Sequence, residues 1–540
     1  MKTDRSWKSM CRWMALFLFV SALAACGGAS EKESMNEQTD SMSGLRQVPV
    51  EQEREGGADK NKETGVKDLN TEEYSHIKEN EFKNVMQEPL STFSIDVDKA
   101  SYGNVRRYLL DNQLPPKDAV RIEEMVNYFS YNYPQPTGDT PFSFTTELSD
   151  CPWNKKHKLV HIGIQGKKLD YEHLKASNLV FLIDVSGSMD DPNKLPLLQK
   201  SMKMLVENLS LKDRVAIVTY AGEAGLVLPS TPASEKATIY KALDNLHAGG
   251  STAGGEGIEL AYKVAKENLI KGGNNRVILA TDGDFNVGIS STGDLVTRIE
   301  EKRKDDIYLT ICGFGMGNYK DSRMEDISDA GNGNYFYIDN IQEAQKVFVT
   351  EMRANMFTIA KDVKIQVEFN PAMVGEYRLI GYEDRVMSSK DFEDDKKDAG
   401  ELGAGHTVTA LYEIIPAGSD EVKNIPLKYQ ETKVKDGGRE WLTLKFRYKP
   451  IHSDQSILLE KPVEGNGTFF GEASENLRFA SAVAAFGMLL RDSKYKGDLN
   501  YNEVLMIAKN ASAFDKEGYR SEFIKLVETA SLLSRNENGN

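Results

Sequence analysis

The chain has 540 residues, 40% of them hydrophobic and 28% charged, and a formal net charge of −15 at neutral pH. That length exceeds what a single hydrophobic core organises and points to about three or four folded units. The acidic balance argues against nucleic acid as a partner and offers no basic patch for anionic lipid.

Lys2, Arg5, Lys8 and Arg12 precede the apolar stretch from Trp13 to Val20, and Leu23-Ala24-Ala25-Cys26 follows it. The stretch is too short for a membrane span and has the flanks of a leader. It resembles a bacterial lipoprotein signal, which implies removal of residues 1–25, lipidation of Cys26 and membrane attachment through the acyl chains. Residues 26–85 are mostly Glu, Lys, Asp, Ser, Gly, Gln and Asn, a composition that buries too little apolar surface to offset the entropy of ordering, and are expected to be a disordered tether.

An N-terminal α+β segment is expected over residues 86–177. Ser91 to Asp98 alternates like a strand, Tyr102–Leu110 and Arg121–Tyr131 have helical spacing, and Phe142–Leu148 and Lys158–Gln165 are alternating strands. Asp98 with Ser101 reads as a helix start. From 178 to 355 the pattern becomes α/β: strands at 179–183, 214–220, 276–281, 307–313 and 334–338 alternate with helices at 194–208, 234–245, 256–269, 292–304, 321–329 and 341–351. Such repetition implies a doubly wound, mostly parallel sheet.

Within this region the apolar run Leu179-Val180-Phe181-Leu182-Ile183 ends in Asp184-Val185-Ser186-Gly187-Ser188. Unbroken apolar residues mark a strand covered on both faces, and ligands of open α/β sheets bind outside the carboxyl ends of the strands. The glycine-flanked Thr252 and the strand-end Asp282 add a hydroxyl and a second carboxylate. A set of oxygen ligands without Cys or His suits Mg²⁺, with Ca²⁺ or Mn²⁺ as alternatives. The pattern D-x-S-x-S, a distant Thr and a distant Asp resembles the metal-ion-dependent adhesion site (MIDAS) of the von Willebrand factor type A (VWA) domain. The resemblance implies a Rossmann-like fold and the metal ligands Asp184, Ser186, Ser188, Thr252 and Asp282. Gly313-Phe314-Gly315-Met316-Gly317 lacks the third glycine of a dinucleotide loop and reads as the packed rim of the site, so no nucleotide is expected.

After Thr358 alternating strands return at Val363–Phe369, Tyr377–Tyr382, Thr407–Ile415, Lys423–Tyr429 and Trp441–Tyr448, a β-rich region over 356–460. Residues 461–540 are helical, at Asn476–Leu490, Asn502–Lys509 and Tyr519–Leu533. Strands on both sides of the α/β region have edges to manage, so 142–165 and 363–448 are expected to form one β-sandwich with the metal domain inserted. Two remaining thiols, Cys151 and Cys312, are favoured as separate and buried over a disulfide. The segments Ser91–Asp98, Leu114–Met125 and Ala482–Ser493 resemble the bacterial YfbK-type lipoproteins.

The function these features imply is metal-dependent protein binding at the bacterial cell envelope, the outer membrane being preferred over the inner. The partner would supply an Asp or Glu carboxylate to the ion, and the rim at Met189, Asp190, 222–225 and 314–319 would select it. No G-x-S-x-G, H-E-x-x-H or P-loop is present, so an enzyme is not expected. Two alternatives stand beside this reading, a metal-stabilised assembly scaffold and a metal-dependent hydrolase.

Overall fold

Period-two alternation on either side of the α/β region builds two facing sheets from strands far apart in sequence. The computed structural model describes residues 72–537, apart from 96–97, 170–174, 222–223, 251–253, 284–291, 317–319, 424–427, 430–433 and 435–437. One sheet runs Lys83–Asn84, Val374–Ile380, Thr407–Pro416, Asn154–Gly166, Phe142–Cys151. The other runs Val386–Met387, Leu90–Ser94, Thr358–Phe369, Glu440–Pro450, Ile457–Glu464. Their inner faces share one core, in which Val160, Ile162 and Ile164 pack with Ile365, Val367 and Phe446. The decisive pairing is antiparallel, from Lys158 opposite Ile414 to Gln165 opposite Thr407. It joins the chain before the α/β domain to the chain after it.

The α/β domain has a six-stranded sheet in the order Tyr335–Ile338, Ile307–Phe314, Asn274–Thr281, Ser177–Asp184, Arg214–Tyr220, Ala224–Pro232. All neighbours are parallel except the last, which runs antiparallel at the edge. This edge strand is absent from the sequence reading. Pro229 interrupts its apolar run, and Leu226 and Val227 point to solvent, so burial did not shape its pattern. Ile457–Glu464 was hidden the same way, by Pro462 and its charges on another edge.

A third core is helical. Ala100–Leu110 and Ile122–Asn127 pack with Glu475–Arg491, Tyr501–Lys509 and Tyr519–Glu537, and Tyr102, Phe129, Phe479, Phe486 and Phe523 lie at its centre. The N-terminal segment therefore divides, its strands entering the sandwich and its helices the C-terminal core. Cys151 and Cys312 are both free and buried. No helix of the described residues is long and apolar enough to cross a membrane.

Two expectations need correction. Residues 72–85 are not tether: the Glu72 carboxylate meets Arg107 at 2.9 Å and Tyr108 at 2.6 Å, Lys83 and Asn84 pair with Tyr377 and Glu376, and Val85 is in the core. A few anchors that composition cannot register order this polar stretch. Asp98 does not cap the helix at Ala100; it accepts from the Tyr335 backbone N–H at 3.0 Å, while the buried Glu124 carboxylate takes the Ser101 N–H. The signal and tether residues 1–71, including Cys26, and most of the strand expected at Lys423–Tyr429 lie outside the described residues.

Arg106, buried in Ala100–Leu110, ties three segments together. Its guanidinium meets Asp339 at 2.8 Å and Glu343 at 2.7 Å in the α/β domain, and Glu522 at 3.1 Å in the last helix. Truncation by Arg106→Ala leaves buried carboxylates without their partner and should cost about 3–5 kcal/mol in urea unfolding. His157 links the flanks differently. Burial alone would pull its imidazole down, but hydrogen bonds to Glu413 at 2.5 Å and Glu421 at 2.8 Å outweigh burial and hold it above the ordinary value of 6.5. A raised folded-state value stabilises fully below the unfolded value and is lost as pH rises through the folded one. The stability advantage of wild type over His157→Gln should therefore be greatest below about pH 6.5 and shrink toward alkaline pH in denaturant titrations.

Candidate metal site

Ser177–Asp184 is buried along its whole length, as its unbroken apolar sequence requires. It stands between Arg214–Tyr220 and Asn274–Thr281, where the strand order reverses. At such a switch point the loops leave in opposite directions and open a crevice at the carboxyl ends. Asp184 ends one strand and Asp282 follows the next, so both carboxylates reach this crevice.

Asp184 is fully buried. Its Oδ1 accepts the Ser186 backbone N–H at 2.9 Å, and its Oδ2 accepts the Tyr220 hydroxyl at 3.1 Å and the Thr281 hydroxyl at 3.2 Å. Burial pushes this carboxyl above its ordinary value and Asp282 pushes the same way, while the bonds from Ser186 and Tyr220 oppose them. A divalent cation would relieve that strain by compensating both charges. Ser186 and Ser188 present hydroxyl oxygens 3.0 Å apart, the first buried and the second exposed. The hollow thus has a closed floor and an open mouth.

The glycine loop is drawn to this mouth by its first residues. Gly249 N–H donates to Val185 O at 2.8 Å, and Gly187 N–H donates to Gly250 O at 3.2 Å. Thr252, the fifth expected ligand, lies outside the described residues. Among the described residues no three His, Cys, Asp or Glu side chains are grouped to hold a metal. The described crevice offers two carboxylates and hydroxyls, a set that fits a hard divalent cation. In that arrangement Asp184, Ser186, Ser188 and Asp282 would hold the ion, which would supply Lewis acidity and an attachment point for an anionic ligand.

The rim differs from expectation. Met189 and Phe314 are fully buried, so they support the loops and cannot touch a partner. Asp190 and Met316 are exposed, and 222–223 and 317–319 lie outside the described residues. Three residues were overlooked: Tyr220, Thr281 and Lys194. Lys194 occupies the N-cap position of the helix Leu195–Glu207 without a side-chain capping bond, and its ammonium lies 3.0 Å from Asp282 Oδ2. A cation at a helix N-terminus opposes the helix dipole, and that local misfit was the available signal.

The chain is 44% identical over 484 residues to the uncharacterized protein YfbK of Escherichia coli (strain K12), covering 88% of this chain and 83% of that protein. The chain belongs to the YfbK-type family of VWA proteins. The family models agree by segment: "von Willebrand factor" matches 68–161, "von Willebrand factor type A domain" matches 178–350, and "Uncharacterized protein YfbK, C-terminal" matches 354–533. Among solved structures, a von Willebrand factor type A protein from Catenulispora acidiphila is 19% identical with a TM-score of 0.40, covering 73% of this chain and 91% of its own. Proximal thread matrix protein 1 of the mussel byssus, with a zinc-occupied MIDAS motif, is 24% identical over 32% of this chain and 44% of its own, with a TM-score of 0.27. The central module of this YfbK-type chain is thus a VWA domain, a fold often used for metal-dependent protein interaction.

Binding of a cation to the folded state alone should stabilise it. At about one hundred times Kd, Mg²⁺ or Mn²⁺ should add ~2.7 kcal/mol to wild type. No such gain is expected for Asp184→Ala or Ser186→Ala, as read by thermal unfolding with and without EDTA.

Proposed function

We propose that the protein is an envelope lipoprotein, anchored at the outer membrane through Cys26, that binds acidic protein partners through a Mg²⁺ held by Asp184, Ser186, Ser188, Thr252 and Asp282. The observation that carries the reading is the pair of hydroxyls at the mouth of the crevice. Mg²⁺ holds oxygens at about 2.0–2.1 Å in octahedral geometry, which sets neighbouring ligands about 3 Å apart. Ser186 Oγ and Ser188 Oγ share a hydrogen bond at 3.0 Å, a separation that also suits neighbouring ligands of one Mg²⁺. Ca²⁺ takes longer bonds and Mn²⁺ keeps the same ligand type, so both remain arms of the test.

Binding is favoured over hydrolysis by what surrounds the carboxylates. Asp184 is already engaged by three donors, and Asp282 by Lys194, so neither carboxylate is placed as a general base. Exposed Ser188 leaves an open side where a partner's Asp or Glu can complete the coordination shell. The exposed Asp190 and Asp191 beside it repel acidic surfaces that fail to reach the metal, which adds selectivity.

Capture from bacterial envelope extracts with the full chain tests this reading. Proteins retained by wild type with Mg²⁺, and lost with EDTA or in Asp184→Ala, are the expected outcome. The same proteins retained in every condition would give the ion a structural role and move binding elsewhere, and retention restored by Mn²⁺ or Ca²⁺ alone would reassign the metal.

A further inference from the structure

Lys194 enters the metal crevice along a path built for it. Its Nζ donates to Ser188 O at 2.9 Å and to Asp282 Oδ2 at 3.0 Å, so it bridges two segments of the site. The side chain is one-tenth exposed. Its stem runs against Gly315, where a Cβ would stand 2.3 Å from Lys194 Cε and 2.7 Å from Cγ. Gly315 also has φ +79°, a conformation other residues adopt poorly, and its carbonyl accepts the Tyr337 hydroxyl at 2.5 Å. The rim glycine is therefore needed on two counts, its turn and the lysine stem beneath it. Exposed Asp191 lies 3.8 Å from the same ammonium.

This placement alters the charge of the site. Asp184 and Asp282 together carry two negative charges, which a divalent cation alone would neutralise. With the ammonium on Asp282, the buried part of the metal-loaded crevice instead has an excess positive charge, since Asp191 is exposed and its charge is screened by solvent. Uncompensated charge in a buried setting is unfavourable, and an added carboxylate removes it. Without the lysine, the same carboxylate would create an excess negative charge.

We infer that Lys194 is the charge-setting residue of the site: it weakens divalent-metal binding by itself and couples it to an anionic ligand, so that metal and partner carboxylate bind cooperatively. The inference rests on the metal-site reading above and adds a reason for an acidic partner. It makes metal and partner mutually dependent, since each must raise the other's affinity by the same factor.

The test is titration of the full chain with Mn²⁺, following free Mn²⁺ by electron paramagnetic resonance, in chloride and in acetate at equal ionic strength. Wild type should bind several-fold more tightly in acetate. Lys194→Met should bind about tenfold or more tightly than wild type in chloride, a modest effect for a unit charge one ligand away from a dication, and acetate should give no further gain. Lys194→Gln, which keeps a polar end on a stem one atom shorter, should follow Lys194→Met and separates charge from packing should the latter fold poorly. Lys194→Arg should restore the acetate dependence. Equal or weaker Mn²⁺ binding by both neutral variants in chloride, or an unchanged acetate effect, would overturn the inference while leaving the metal site standing. Mn²⁺ binding that is absent in wild type, or identical in Asp184→Ala, would instead remove the metal reading and this inference with it.

Discussion

The antiparallel pairing of Asn154–Gly166 with Thr407–Pro416 is the constraint on which the architecture turns. Backbone donors and acceptors of a central strand must be matched on both sides, and here one side is matched only after the chain has built the whole VWA domain and returned. Thr358–Phe369 repeats the device in the other sheet, lying between Leu90–Ser94 and Glu440–Pro450. Neither sheet is complete without both flanks, so the insertion follows from strand pairing.

Buried charge secures the insertion. Arg106, Arg121 and Arg385 lie outside the VWA domain, yet they meet Asp339 and Glu343, Asp321, and Glu325 and Asp329 within it. Such pairs offer little net stabilisation over apolar packing, but they punish misplacement, because a guanidinium withdrawn from water must find its carboxylates. They hold the helix Asp321–Ala330 and the segment that follows Tyr335–Ile338 against the rest of the molecule. The site itself uses the opposite arrangement: two acidic groups share a crevice with one lysine, leaving a net charge that a cation can compensate.

Much of the inserted domain was legible because its strands are buried on both faces. Leu179 to Ile183 and Val277 to Ala280 carry no polar interruption, and their ends follow from the first carboxylate, Asp184 and Asp282. The edge strands Ala224–Pro232 and Ile457–Glu464 left no such trace, since one side faces solvent and proline is tolerated there. The crevice was legible to the extent that Asp184, Ser186 and Ser188 are close in sequence and Asp282 follows a covered strand, while the glycine-flanked Thr252 lies outside the described residues. Tyr220 and Thr281 were not legible, because a strand tyrosine and a strand threonine have ordinary structural uses wherever they occur, and Lys194 left only the signal of a cation at a helix N-terminus.

The sequence by itself determined the local periods, the covered strands and the oxygen-bearing residues at the strand ends, since those depend on which residues are neighbours along a strand, helix or turn. Only the tertiary structure decided which strands share a sheet, that residues 72–85 are anchored by Arg107 and Val85, and that Lys194 rests on Asp282. Those outcomes depend on pairings between residues tens to hundreds of positions apart, where hydrogen-bond completion and buried charge select the partner and no local pattern records the choice.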